Sequence, residues 1–230
     1  MGRLMHTLRW DITLQARNGF YLVTGLVLLM WAALLIPLPA LDTEWLLPPL
    51  ILSNLVVGGF YFVGAIVLLE KAEGSLLARA VTPLRGGEYL AARVISLSLL
   101  ALVENLGMAA LFRGTSFAPL PMGGGIMLGT ALFCMAGLIT VAPYGSINAY
   151  MLPSAAVAGL LSIPVIAALA GWASPLLYLH PLEPAMLLMQ GSFRPLAAWE
   201  LAYCLGAGAL WLITLGRYAL RACRKLSVES

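Results

Sequence analysis

The residues best placed to do chemistry in this chain lie in its longest charged interval, from Glu70 to Arg93, which interrupts an otherwise apolar sequence. Its carboxylates and guanidinium groups can form salt bridges with a partner. Thr82-Pro83 stops the first helix, because proline disfavours the α conformation in the residue before it, and Gly86-Gly87 forms a hinge. The pattern predicts a polar turn, a short helix from Ser75 to Val81, a stop, and a second helix beginning near Glu88. A short charged helix between two apolar segments is suited to dock on a partner and to move with it.

A second group of polar side chains lies within apolar runs. An ionised carboxylate near the middle of a membrane costs roughly 2.5 to 3.5 kcal/mol on insertion scales, so Glu104 is expected to face the protein interior. It could serve there as a substrate or proton site, or it could lock neighbouring helices through hydrogen bonds. The candidate residues of a substrate pathway are Asn54, Tyr61, Glu104 and Asn105.

Several catalytic classes are excluded by residue counts. A phosphate-binding loop of the form G-x-x-x-x-G-K-[S/T] needs a lysine, and Lys71 and Lys225 both stand in other surroundings. His6 and His180 are the only histidines, so there is no H-E-x-x-H zinc motif, and no Cys-x-x-Cys pair occurs. We therefore expect no catalytic residue, no metal site and no cofactor on this chain.

The composition identifies a membrane protein. Hydrophobic residues make up 61% of the 230 residues and charged residues only 10%, which is too few to cover a water-soluble globule. A helix needs about 20 apolar residues to cross a membrane. Six runs are long enough and predict spans near Gly19–Ile36, Pro49–Leu69, Val94–Phe112, Met122–Ala142, Ala155–Trp172 and Ala197–Leu215.

The positions of lysine and arginine predict the orientation of these spans. If the N-terminus lies inside, 11 of the 13 basic residues fall in inner segments, and only Arg113 and Arg194 fall in outer ones. Both termini and the interval 70–93 are then cytoplasmic, in the inner membrane of a prokaryote. The net charge of +3 follows from this topology and gives no indication of nucleic-acid binding.

The first 18 residues predict an amphipathic helix along the membrane surface. Apolar residues including Met5, Leu8 and Ile12 share one side of a helical wheel, and Arg9 and Arg17 lie opposite. Such a helix is either a surface anchor in contact with lipid or a connecting helix beside a cytoplasmic partner. The pattern is the same for both.

The segment 173–196 is apolar but is interrupted by four prolines, so it predicts one or two short re-entrant helices on the outer side. Pro164 predicts a kink in the fifth span. The predicted fold is all-α: a single transmembrane permease domain over residues 1–230, with an interfacial helix, six transmembrane helices and a broken outer segment before the last one.

The charged interval resembles the loop between the second and third spans of ABC type-2 exporter permeases. In that family an acidic residue closes a span, Glu-x-x-Gly-[Ser/Thr]-Leu follows, and Thr-Pro-Leu comes after. The matching positions here are Glu70, Glu73, Gly74, Ser75, Leu76, Thr82, Pro83 and Leu84. The resemblance implies that this loop is a coupling helix on an ATPase, with Glu70 and Glu73 anchoring it and Arg79 and Arg85 meeting acidic groups of the partner.

The same resemblance implies the remaining partners. A half-size permease of this family forms a dimer with an identical or homologous chain, and ATP and Mg²⁺ are bound by separate ATP-binding subunits. The expected activity is ATP-driven export of an amphipathic drug-like or lipid-like substrate. The stretch from Tyr178 to Phe193 looks most like the fluoroquinolone-export branch.

Three alternatives remain open at the level of sequence. A haem-exporter permease has a similar six-span size. A proton-coupled secondary transporter would use Glu104 as its coupling carboxylate and would need no ATPase. A membrane scaffold would only dock a partner through its loop. A neighbouring gene for an ATP-binding-cassette ATPase would favour the exporter over the last two.

Overall fold

The computed structural model describes residues 2–35, 42–74 and 86–226, and within these ranges the chain is helical without any β-strand. The all-α prediction is thus confirmed. The α-helices are α1 (Gly2–Arg17), α2 (Phe20–Leu35), α3 (Thr43–Leu55), α4 (Phe62–Ala72), α5 (Gly86–Arg113), α6 (Pro119–Val141), α7 (Ile147–Leu161), α8 (Ile163–Leu169), α9 (Glu183–Gln190) and α10 (Ala198–Leu226).

Four described helices are long and apolar enough to cross a membrane: Thr43–Ala72, α5, α6 and α10. Two bent pairs bring the total to six if each pair forms one span. In the first pair α1 and α2 meet at 61°, and in the second α7 and α8 meet at 51°. The chain is therefore a multi-pass membrane protein.

The second span begins earlier than the expected Pro49. The Asp42 carboxylate accepts hydrogen bonds from the backbone N–H groups of Glu44 at 3.0 Å and Trp45 at 3.4 Å, which caps α3. A π-helical turn, Val56–Tyr61, joins α3 to α4 without a break. Such turns are rare and often mark functional positions in helices.

Helix α6 is the centre of the bundle, and its glycines let neighbouring backbones approach. A Cβ atom on Gly137 would stand 2.5 Å from the carbonyl oxygen of Phe60 in the π turn. A Cβ on Gly125 would stand 2.8 Å from the carbonyl oxygen of Ala185 in α9. The Gly125-x-x-x-Gly129 motif is thus a packing motif, which holds α9 against α6.

Helix α1 has the predicted length, but its buried side differs from the apolar side of the wheel. Asp11, Leu14 and Gln15 are buried against the bundle, whereas Met5 and Ile12 are exposed. The polar groups point inward because α5 offers them ionic and hydrogen-bonding partners. The exposed apolar stripe remains available to lipid.

The two ends of the bundle are distinguished by the helices that lie there. The α1 end contains α1, the end of α4, the start of α5 and the end of α10, where Gly86 adjoins Cys223. The α9 end contains α9 and the start of α6, where Ala118 N–H donates to the carbonyl of Ser192 at 2.9 Å. The expected interruption of segment 173–196 is present as a 3₁₀ turn, Pro175–Leu179, followed by α9.

Candidate functional site

The charged residues at the α1 end form one buried cluster, which we call the Arg93 cluster: Asp11, Glu70, Tyr89 and Arg93. Asp11 comes from α1, Glu70 from the last turns of α4, and Tyr89 and Arg93 from the first turns of α5. Tyr89 and Arg93 are four residues apart and therefore lie on the same face of α5. Three helices are joined at this point.

Arg93 is the centre of the cluster and is only 1% exposed. Its Nη1 lies 3.2 Å from Asp11 Oδ1, and its Nη2 forms a salt bridge and hydrogen bond with Glu70 Oε1. Tyr89 Oη donates to Glu70 Oε2 at 2.7 Å, and the guanidinium carbon stands 5.0 Å from the centre of the Tyr89 ring. One cation thus faces two carboxylates.

A neighbouring hydrogen bond extends this connection between α1 and α5. Gln15 Nε2 donates to Ser96 Oγ at 3.0 Å, and Ser96 Oγ donates to the carbonyl of Arg93 at 3.1 Å. Gln15 follows Asp11 by four residues, so both side chains leave α1 on one face.

The ion pairs of the Arg93 cluster are expected to contribute strongly to stability. Losing one member of a buried ion pair typically costs about 3 to 5 kcal/mol, since the remaining charge stays buried without its partner.

Lys71 connects the end of α4 to a further helix. Its Nζ donates to the carbonyl oxygens of Ala142 and Tyr144, each at 2.7 Å. These carbonyls lie at the C-terminal end of α6, where a cation is favoured by the helix dipole. The consecutive residues Glu70 and Lys71 therefore fix α4 to α1, α5 and α6.

The other predicted coupling residues are placed as follows. Glu73 is exposed and ends α4, outside the Arg93 cluster. Gly74 adopts φ of 67°, a left-handed conformation that favours glycine at the end of a helix. The short helix expected from Ser75 to Val81 lies outside the described residues, as do Ser75, Arg79, Thr82, Pro83 and Arg85.

Three of the four candidate pathway residues meet in the interior of the bundle. Asn54 Nδ2 donates to Glu104 Oε1 at 2.9 Å and to Asn105 Oδ1 at 3.0 Å. Asn105 Nδ2 in turn donates to the carbonyl of Ala101 at 2.8 Å. Glu104 is 8% exposed, and its carboxylate joins α5 to α3. The sequence allowed two roles for Glu104, a substrate or proton site and a link between helices. The hydrogen bond to Asn54 shows that it links two helices.

Tyr61, the fourth candidate, belongs to the π turn and is half-buried. Its ring packs edge-on against Phe60, with ring centres 5.2 Å apart. Among the described residues no group of three or more His, Cys, Asp or Glu side chains is arranged to hold a metal ion.

Sequence reasoning identified Glu70 but missed its partners. In the sequence, Arg93 and Lys71 indicate the topology of the spans, and no pattern assigns a role to Asp11. A signal was present in the spacing, because Asp11–Gln15 and Tyr89–Arg93 each pair polar side chains at four-residue intervals. What the spacing could not indicate is that α1 turns its polar side inward.

The described helices form a multi-pass membrane bundle with a buried ionic cluster at the α1 end and a polar layer between α3 and α5. A model of the fluoroquinolones export permease protein family matches residues 2–230. Fluoroquinolones export permease proteins of Mycobacterium tuberculosis strains CDC 1551 / Oshkosh and ATCC 25618 / H37Rv are each 32% identical over 206 residues, covering 88% of this chain and 87% of theirs. The chain belongs to the fluoroquinolones export permease protein family and is a membrane export permease.

Proposed function

We propose that this chain is the transmembrane subunit of an ATP-driven ABC exporter, which moves an amphipathic drug-like substrate out of the cytoplasm. ATP and Mg²⁺ bind to separate ATP-binding subunits, and a second permease chain completes the transporter. The α1 end faces the cytoplasm of a prokaryotic cell, in agreement with the positions of lysine and arginine. The α9 end faces outward.

The observation that carries this proposal is the attachment of α4 and α5 on either side of residues 75–85. Glu70 precedes that segment and Arg93 follows it, and the two form a buried salt bridge. Because α4 and α5 are joined in this way, a force that displaces the end of one helix also acts on the other. A force applied by an ATPase at the loop would therefore reach the bundle.

The contacts of Asp11 and Lys71 connect two further helices to α4 and α5. Through Arg93 the interfacial helix α1 is tied to α5, and through Lys71 the end of α6 is tied to α4. Motion of these connected helices relative to the rest of the bundle is how a push from the cytoplasm would open a path across the membrane. A scaffold that only docks a partner has no need for such rigid connections.

The polar layer of Asn54, Glu104 and Asn105 is the part of the proposed pathway nearest the membrane centre. A polar group there costs free energy unless it is paired, and the three side chains satisfy one another. We propose that the substrate passes beside this layer. The π turn next to Asn54 is a point at which the angle between α3 and α4 can change.

The proposal is tested by co-purifying the tagged permease with candidate ATP-binding subunits. The complex is then reconstituted, and ATP hydrolysis is measured with a panel of amphipathic compounds, fluoroquinolones included. We expect a stable complex whose ATPase rate rises with a subset of the panel. A permease that transports without any ATP-binding subunit, driven by a proton gradient, would refute the proposal.

A further inference from the structure

A cavity of 380 Å³ lies at the α9 end, away from the Arg93 cluster and from the polar layer. It is an open pocket between α8, the 3₁₀ turn and the side of α9 that carries Glu183 and Gln190. Its walls carry the side chains of Trp172, Ser174, Tyr178, Glu183, Met186 and Gln190. This volume lies within the range of pockets that hold small organic ligands.

The cavity has one charged group, the carboxylate of Glu183. None of the described residues that line the cavity is a lysine, arginine or histidine. The nearby Arg194 is already engaged, because its Nη1 and Nη2 donate to Glu200 at 2.9 and 2.7 Å. Burial raises the pKa of the Glu183 carboxyl, as expected for an acid without a cationic partner.

His180 cannot supply the missing cation, although it lies three residues before Glu183. Its Nδ1 accepts a hydrogen bond from Leu182 N–H at 3.2 Å, which leaves Nε2 as the protonated nitrogen, 3.1 Å from the carbonyl oxygen of Leu160. Both ring nitrogens are therefore used by the neutral imidazole. A second proton on Nδ1 would break the hydrogen bond from the Leu182 N–H and place two N–H groups against each other.

The aromatic wall of the cavity is fixed by contacts behind it. The Tyr178 ring packs edge-on against Tyr203 with centres 5.1 Å apart, and Trp199 stands 6.0 Å from it. Tyr203 Oη donates to the Tyr178 carbonyl at 2.7 Å. A wall that is already ordered loses little conformational entropy when a flat ligand packs on it.

We propose that this cavity binds an organic cation that carries a flat aromatic ring. The ring would pack on Trp172 and Tyr178, the positively charged nitrogen would face Glu183, and Gln190 would offer a neutral polar contact. Cations are attracted both to carboxylates and to the faces of aromatic rings. As a statement about the exporter's substrate class, this proposal rests on the proposed function. Binding to the cavity can nevertheless be measured on the permease without an ATPase.

The test uses the full-length permease alone in phosphatidylcholine nanodiscs, with empty nanodiscs as the blank. Ethidium, a flat aromatic cation, is titrated and followed by fluorescence, and phenanthridine serves as its neutral counterpart by competition. We expect wild-type protein to prefer ethidium. Glu183→Gln should weaken ethidium binding roughly tenfold, since the Coulomb attraction between the carboxylate and the quaternary nitrogen is lost, and should leave phenanthridine binding unchanged.

Two further variants separate a lost charge from a damaged fold. Gln190→Glu adds a second carboxylate to the cavity and should tighten ethidium binding. Glu88→Gln removes the same charge as Glu183→Gln at the opposite end of the bundle and should have no effect. Equal ethidium affinity in wild type and Glu183→Gln, or equal affinity of wild type for both probes, would overturn the proposal and leave the cavity as a contact for lipid or a second subunit. Ethidium binding by the permease, together with no stimulation of ATP hydrolysis by any compound of the panel, would contradict the exporter function and leave this site intact.

Discussion

The imidazole of His180 donates a hydrogen bond to the carbonyl of Leu160, with 3.1 Å between Nε2 and the oxygen. In an unbroken helix the backbone N–H of residue 164 would be the donor to this carbonyl, but Pro164 has none. The kink between α7 and α8 therefore exposes a carbonyl, and a side chain from the segment 173–196 satisfies it. This one bond connects the broken span to the segment that carries the cavity.

The His180–Leu160 bond predicts a dependence of stability on pH. Burial lowers the pKa of His180 below its ordinary value of 6.5, with the Leu160 hydrogen bond opposing the shift. Because the folded pKa lies below the unfolded one, the stabilisation is fully present above about pH 6.5 and is lost as the pH falls toward the folded pKa. The thermal midpoint of the purified protein should therefore fall between pH 7.5 and pH 5.5.

Two histidine variants check that assignment. His180→Ala should lower the midpoint at pH 7.5, since a typical intramolecular hydrogen bond contributes about 0.5 to 1.5 kcal/mol, and should flatten the decline toward pH 5.5. His6→Ala removes an exposed histidine and should behave like wild type. If His180→Ala keeps the full decline, the pH dependence arises elsewhere.

The Arg93 cluster predicts a large loss of stability when its cation is removed. Arg93→Met leaves Asp11 and Glu70 buried with unbalanced charge, and the cost is expected to be about 3 to 5 kcal/mol. Arg93→Met combined with Asp11→Asn and Glu70→Gln should recover much of the loss, because no charge then stays buried. Thermal unfolding in detergent measures both, and Arg217→Met, a surface arginine, is the control. A single Arg93→Met variant as stable as the control would show that the cluster does not hold the helices.

Neighbouring glycines in α6 provide a matched test of the packing against α9. Gly125→Ala would place Cβ 2.8 Å from the Ala185 carbonyl oxygen, whereas Cβ on Gly124 meets nothing within 4 Å. Alanine is about 1 kcal/mol more favourable than glycine inside a helix, so Gly124→Ala should be neutral or stabilising. Gly125→Ala should instead lower the thermal midpoint. Equal midpoints would contradict the close contact of α6 with α9.

The proposed orientation predicts which end of the bundle is accessible from outside the cell. Arg17 is exposed at the α1 end and Thr115 at the α9 end, whereas the three native cysteines are buried and should give little background. An impermeant maleimide added to intact cells should label Thr115→Cys and spare Arg17→Cys. Permeabilised cells should show labelling of both. The reverse pattern in intact cells would invert the topology and remove the cytoplasmic position of residues 75–85.

Hydrophobic run lengths were sufficient to predict an all-helical membrane bundle, because a span needs a minimum number of apolar residues whatever its neighbours. Boundaries were less predictable. Helix α3 begins six residues before the expected Pro49, since Asp42 supplies a cap and the helix contains Pro48 and Pro49 in its second turn. The inward side of α1 could not be predicted, because it depends on Arg93, 82 residues away along the chain from Asp11. Glu104 was expected in the interior, but its bond to Asn54 depends on how α3 and α5 are aligned.

The most direct measurement of the central claim is substrate-stimulated ATP hydrolysis by the reconstituted permease–ATPase complex, compared between two charge-reversal variants. Arg79→Glu with Arg85→Glu changes the proposed docking loop, and Arg224→Glu with Lys225→Glu makes the same change of charge in the C-terminal tail. Like charges at an interface can cost several kcal/mol, so the loop variant should lose ATPase association and stimulation, while the tail variant keeps both. Normal stimulation and transport by the loop variant, retained even when residues 75–81 are deleted, would contradict the account of this chain as an ATP-coupled export permease.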